Sequence, residues 1–252
     1  MIRAKSHFWI LGLLGGIVIL CHPYFVFLPF AIYLFLALYK KLSFKKVFFC
    51  GVLTVAFVSL WVLRNTQVLD TTKPVITTSS GAVMAKGWND EVVNSHTNTQ
   101  GDLADEGLVL NNFVYDKTLF RDEVAQSSLY TAAVVDFIKS NPDQILPIIG
   151  TKLRSAFNPF AETSKPGFLE RGRVAFHIMA LIGLLYAIGF AKSGIGRSLA
   201  WALVLSTIGI TIVTYSGFRF RMPQLVLELF LILLMLQETV GNRFKAVYKS
   251  AP

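Results

Sequence analysis

Residues 47–63 read VFFCGVLTVAFVSLWVL, an uncharged run approached through Lys45-Lys46 and left at Arg64-Asn65. Inside a bilayer no water is at hand for the backbone, so such a run satisfies its own hydrogen bonds as a helix. About 20 residues of this kind cross the hydrocarbon. Upstream, residues 8–39 are apolar except at His22-Pro23. That length is too great for one straight crossing and scant for two. Pro23 has no N–H to give a helix, and it restricts the backbone of His22. The spacing therefore predicts two short helices, 8–21 and 24–39, meeting at His22-Pro23; one long kinked helix is the alternative. Downstream, residues 174–190, 199–215 and 223–237 repeat the pattern.

Between these two groups lies a stretch too polar for lipid. Residues 64–173 hold 11 Lys/Arg and 13 Asp/Glu, whereas the rest of the chain holds 13 basic and only 2 acidic residues. The formal charge of +9 is thus carried by short connections between apolar runs, where membrane proteins place it, and no nucleic-acid partner is implied. Charged residues make up 15% of the chain, against about 25% in soluble domains. Basic residues mark the cytoplasmic side. With Lys40, Lys41, Lys45 and Lys46 inside, Arg3, Lys5, Lys192, Arg197, Arg243, Lys245 and Lys249 fall inside as well, provided that the chain turns at His22-Pro23. The expected fold is an all-α membrane protein of about six transmembrane helices with one large, mainly helical extracytoplasmic insertion. Its parts are 1–63, 64–173 and 174–252, in the cell's inner membrane, with both termini cytoplasmic. The basic, apolar N-terminus has no small-residue cleavage site around Leu20-Cys21-His22-Pro23, so it reads as a retained helix rather than a signal peptide.

Within 64–173, Thr71 to Gly81 is rich in Thr, Ser and Pro and reads as extended or strand-like. From Asp122 to Ser140, apolar residues recur at three- and four-residue steps. Asn141-Pro142 breaks that helix. A second one runs to Phe157 with Ile145, Ile148, Ile149 and Leu153 on one face, and Asn158-Pro159 stops it.

Few residues suggest chemistry. Cys21 and Cys50 lie in apolar runs, the metal-ligating types are not clustered, and no cofactor motif is present. The acidic pairs Asp90-Glu91, Asp105-Glu106 and Asp122-Glu123 read as solvated loop charges. Arg219 and Arg221 stand on the outer side, where basic residues are disfavoured. Two guanidiniums two residues apart suit a phosphate, although anchoring to lipid headgroups explains them equally well. Arg64-Asn65, beside Trp61, is the other outer basic site; Arg64 alone reads first as a helix-end anchor. Glu228, inside an apolar run, needs a partner, and Arg221 and Gln224 are spaced to supply one.

The order of features resembles the C-terminal half of bacterial GT-C glycosyltransferases, the class of protein O-mannosyltransferases and lipid A aminoarabinose transferases. His22-Pro23 is similar to that family's arginine-proline turn, with histidine in place of arginine. Trp61-Val62-Leu63-Arg64-Asn65 is similar to its W-x-x-R-N helix exit. Thr77-Thr78-Ser79-Ser80-Gly81 followed by Lys86-Gly87-Trp88-Asn89 is similar to its extended segment and G-x-N turn. Asn141-Pro142, Phe157-Asn158-Pro159 and Arg219-Phe220-Arg221-Met222-Pro223 complete the series. The resemblance implies a protein that takes a sugar from a polyprenyl-phosphate carrier. It implies lipid-phosphate contacts at Arg64, Asn65, Arg219 and Arg221, and a donor-site loop at Gly87 and Asn89. The family's general base lies in a first outer loop upstream of the matched region. This chain is therefore expected to be a C-terminal portion without catalytic residues of its own, working with an N-terminal half or partner subunit. The alternative is a non-catalytic scaffold or partner subunit of a cell-envelope complex.

Overall fold

A computed structural model describes residues 7–94, 122–160, 168–215 and 224–250. Among them the regular structure is helical, without strands. The helices are α1 (Trp9–Cys21), α2 (Leu28–Leu38), α3 (Phe44–Val68), α4 (Ser80–Gly87), α5 (Glu91–Asn94), α6 (Glu123–Ser140), α7 (Ile145–Phe157), α8 (Phe168–Gly189), α9 (Gly194–Val213) and α10 (Leu225–Ser250). Single 3-10 turns, Pro23–Phe25 and Pro142–Gln144, stand where proline interrupts the pattern.

Three of the helices are long and apolar enough to cross a membrane: Phe44–Val68, Arg171–Gly189 and Gly194–Val213. Their outward faces carry exposed Phe48, Leu60, Leu185 and Leu205, among others, which is the surface of a membrane protein and not of a water-soluble one. The chain does break at His22-Pro23. Its two short helices have 13 and 11 residues, about 20 and 17 Å at 1.5 Å per residue.

Contacts fix the helix directions. Phe8, Gly12 and Gly16 meet Cys50, Leu53 and Phe57 in ascending order, so α1 and α3 run parallel. The Tyr33 hydroxyl donates to the Leu11 carbonyl at 2.7 Å, so α2 returns antiparallel to α1. Tyr33 also lies 2.9 Å from the hydroxyl of Thr54, which donates to the Gly12 carbonyl at 2.8 Å. The Gly12 and Gly16 backbones touch α3 so closely that a Cβ there would overlap Leu53 or Phe57. Small residues give such helices their packing in lipid, where no hydrophobic force draws them together. Phe35 stacks on Trp201 with ring centroids 6.1 Å apart, and Phe27 faces Gly209, so α9 is antiparallel to α2. Gln224 and Leu234 meet Thr207 and Gly196, so α10 is antiparallel to α9; Gly183 and Tyr186 meet Ile232 and Glu238, so α8 is parallel to α10. Direction thus alternates along α1, α2, α3, α8, α9 and α10. One end of the bundle gathers Lys40, Lys41, Lys45, Lys46, Lys192 and Arg197.

Helices α4 to α7 form a cap with a core of its own: Ala85, Trp88, Val92, Tyr130, Val134 and Ile148. The boundaries of α6 and α7 follow the sequence reading. Asp122 caps α6 by accepting from the Ala125 N–H at 2.8 Å, and Asn141 ends it. Phe137, Ile145 and Ile149 turn inward on this core. The segment from Thr71 to Ser79 is irregular and pairs with no strand among the described residues, and helix has already begun at Ser80. The strand-like expectation is corrected to an unpaired strap.

Candidate functional site

The strap lies open because side chains, not a neighbouring strand, take its carbonyls. Trp61 Nε1 donates to Ile76 at 3.2 Å, and Asn65 Nδ2 to Val75 at 3.0 Å. Asn65 is buried. Arg64 Nη1 donates in turn to Asn65 Oδ1 at 3.0 Å, while its guanidinium covers the Trp61 ring at 4.9 Å. The Trp61, Arg64 and Asn65 constellation at the end of α3 therefore tethers the strap. Thr77 and Ser79 hydroxyls, 2.9 Å apart, turn the strap into α4.

Behind the strap is a cavity of about 900 Å³, at the upper end of the size range of small-molecule sites. Its walls are Ile19 of α1 with the His22–Tyr24 turn, the strap from Lys73 to Ser79, the start of α4 at Ser80, Val83 and Met84, the face of α6 bearing Ser127, Thr131 and Val135, and the end of α9 at Ile210, Val213 and Thr214. The bundle contributes mainly aliphatic wall, Ile19, Val26, Ile210 and Val213; the strap and α6 contribute hydroxyls. Among the described lining residues, Lys73 and Asp136 are the formally charged ones. Lys73 Nζ reaches across to donate to Ser128 Oγ at 2.8 Å. His22 Nδ1 accepts from the Tyr24 N–H at 3.2 Å, and burial lowers its pKa, which favours neutral imidazole.

The other site residues expected from sequence have different positions. Gly87 ends α4 against the Thr214 backbone, where a Cβ would collide with the carbonyl. Asn89 is buried; its Nδ2 donates to the Ala85 carbonyl at 2.8 Å, and its Oδ1 accepts from the Glu91 N–H at 2.9 Å, so it closes α4 and opens α5. Neither is among the cavity's lining residues, nor is Arg64 or Asn65. Arg219 and Arg221 lie outside the described residues, so their convergence with Arg64 has no geometry here.

Three features escaped sequence reasoning. Lys73 is a lone lysine in a polar stretch and carries no motif. Lys152 is 3% exposed. Its amine donates to the Ile212 carbonyl at 2.9 Å and lies 4.2 Å from the Trp88 ring centroid; Trp88 Nε1 donates to the same carbonyl at 3.0 Å. Together they bind the cap to the C-terminal end of α9, where cations are favoured. Burial lowers the Lys152 pKa to about 7. The third is His177: Nδ1 is 3.5 Å from Glu228 Oε2, both residues being buried in the bundle. Gln224 pairs with Thr207 instead, at 3.4 Å. Comparison with known proteins finds no matching family model, curated protein or solved structure.

Proposed function

We propose that the chain is the C-terminal part of a GT-C-like glycosyltransferase, holding a polyprenyl-phosphate-linked sugar in the cavity behind the strap. The observation that carries this reading is the cavity's division of labour. An aliphatic wall from α1, the turn that follows it and α9 meets hydroxyls from the strap and α6. A ligand with an isoprenoid tail and a hydroxylated, anionic head matches both walls. Arg219 and Arg221 are assigned to the carrier phosphate from their placement in the sequence, and the Arg64 and Asn65 set acts by positioning the strap. In this reading α1, α2, α3, α8, α9 and α10 cross the inner membrane, with the basic end and both termini in the cytoplasm and the cap outside. The alternating helix directions and the gathering of lysines at one end support it. The short α1 and α2 are accommodated by local thinning of the bilayer.

Binding of a polyprenyl monophosphate by the purified chain in lipid nanodiscs tests the proposal. Wild type should bind. Ala132→Trp, which fills the cavity from α6, should abolish binding. Arg219→Ala and Arg221→Ala should each weaken it by roughly tenfold, as expected for a lost charge-assisted bond. Equal affinity in all four proteins would sink the carrier-lipid reading and leave a non-catalytic membrane scaffold or partner subunit in its place.

A further inference from the structure

The cavity has polarity along its length. Helix α6 forms one wall, and its Ser128, Thr131, Val135 and Asp136 all line the cavity. Steps of three and four residues keep Ser128, Thr131 and Val135 on one face, with Asp136 at its edge. Ser128 and Asp136 are eight residues apart, about 12 Å along the helix axis. Lys73 is fixed at the first of these positions by its bond to Ser128, so a cation and a carboxylate stand at two separated stations on a single wall. The distance suits one phosphate followed by one sugar ring.

The two stations accept opposite chemistry. A lysine ammonium has three donors and accepts nothing; one goes to Ser128, and two remain geometrically able to meet phosphate oxygens. The Asp136 carboxylate is acceptor-only when ionised. It repels an anion and accepts charge-assisted bonds from sugar hydroxyls. Between them, Thr131 gives its proton to the Ser127 carbonyl at 2.9 Å and so presents oxygen lone pairs to a hydroxylated ligand.

We infer that the cavity admits its ligand in a single direction, with the phosphate at Lys73 and the sugar hydroxyls directed to Asp136. This rests on the carrier-lipid reading above and adds the residues that recognise each part of the head group. Three probes separate the two statements: a polyprenol, its monophosphate and its phosphoryl-hexose, each titrated onto the full chain in nanodiscs. Lys73→Gln should weaken both phosphate probes by roughly tenfold and leave the polyprenol unchanged; Lys73→Arg should restore phosphate binding. Asp136→Asn should weaken the phosphoryl-hexose several-fold while the monophosphate binds as well or better. If Asp136→Asn weakens the monophosphate, or if Lys73→Gln acts equally on all three probes, the orientation is overturned while the carrier-lipid reading survives. If wild type binds the phosphate probes no better than the cavity-filled Ala132→Trp protein, both fall together.

Discussion

Lys152 places a titratable group where its charge is costly. Its amine is enclosed by Trp88 and the end of α9, and burial brings its pKa from 10.5 to about 7. Between those values the unfolded chain holds the proton more firmly than the folded chain does. The stability contribution is therefore full above the unfolded pKa and is lost as pH falls toward 7. The slope is at most about 1.4 kcal/mol per pH unit. Thermal unfolding in detergent between pH 7 and 9.5 should show wild type gaining stability with pH relative to Lys152→Met. Parallel curves for the two proteins would refute a buried, depressed amine. The sequence did not disclose this residue, because a lysine on an amphipathic helix looks solvated until Trp88 is known to fold over it. Arg64 drew attention by its charge, and its observed partners are Trp61 and Asn65. Patterning reports which face of an element is apolar; it does not report which distant residue covers a polar atom.

At the scale of elements, proline and periodicity were enough. The breaks at His22-Pro23 and Asn141-Pro142 lie where missing N–H groups put them, and α6 and α7 follow their apolar steps. Apolar runs were less exact at their ends. The expected 47–63 helix extends from Phe44 to Val68, since lysine, arginine and glutamine continue a helix readily. The strap misled because Thr, Ser and Pro suggest extension without saying whether a partner strand exists. The glycines divide cleanly by surroundings. A Cβ at Gly87 would meet the Thr214 carbonyl, whereas at Gly150, within α7, it would meet nothing within 4 Å. Gly87→Ala should destabilise by about 1–3 kcal/mol through overpacking, and should expose the cap to proteolysis first. Gly150→Ala should stabilise by about 0.5–1 kcal/mol. Equal melting shifts in the two variants would contradict the packing of α4 on α9.

Across the whole molecule, helix direction and charge can be tested together. With Cys21 changed to Ser, Asp90→Cys on the cap should react with a membrane-impermeant maleimide in intact cells. Lys192→Cys, at the basic end, should react only after permeabilisation. Labelling of both in intact cells would refute the proposed topology. In the sequence, residues 64–173 are set apart by a boundary in charge. The cavity is not legible there, because its walls come from separate segments that only the fold assembles. The tether between α3 and the strap has a mechanical consequence. Helix α3 has 25 residues, about 37 Å of rigid rod, but its uncharged run 47–63 covers only about 26 Å of a bilayer's roughly 30 Å of hydrocarbon. A run shorter than its slab pinches the slab around it, and the pull on its polar ends grows with the slab's thickness. Trp61 and Asn65 ride near its outer end and grip the strap, so that pull reaches the cavity's front wall. Ligand affinity should then change with the acyl-chain length of the surrounding lipid, and cutting the grip with Asn65→Ala should flatten that dependence.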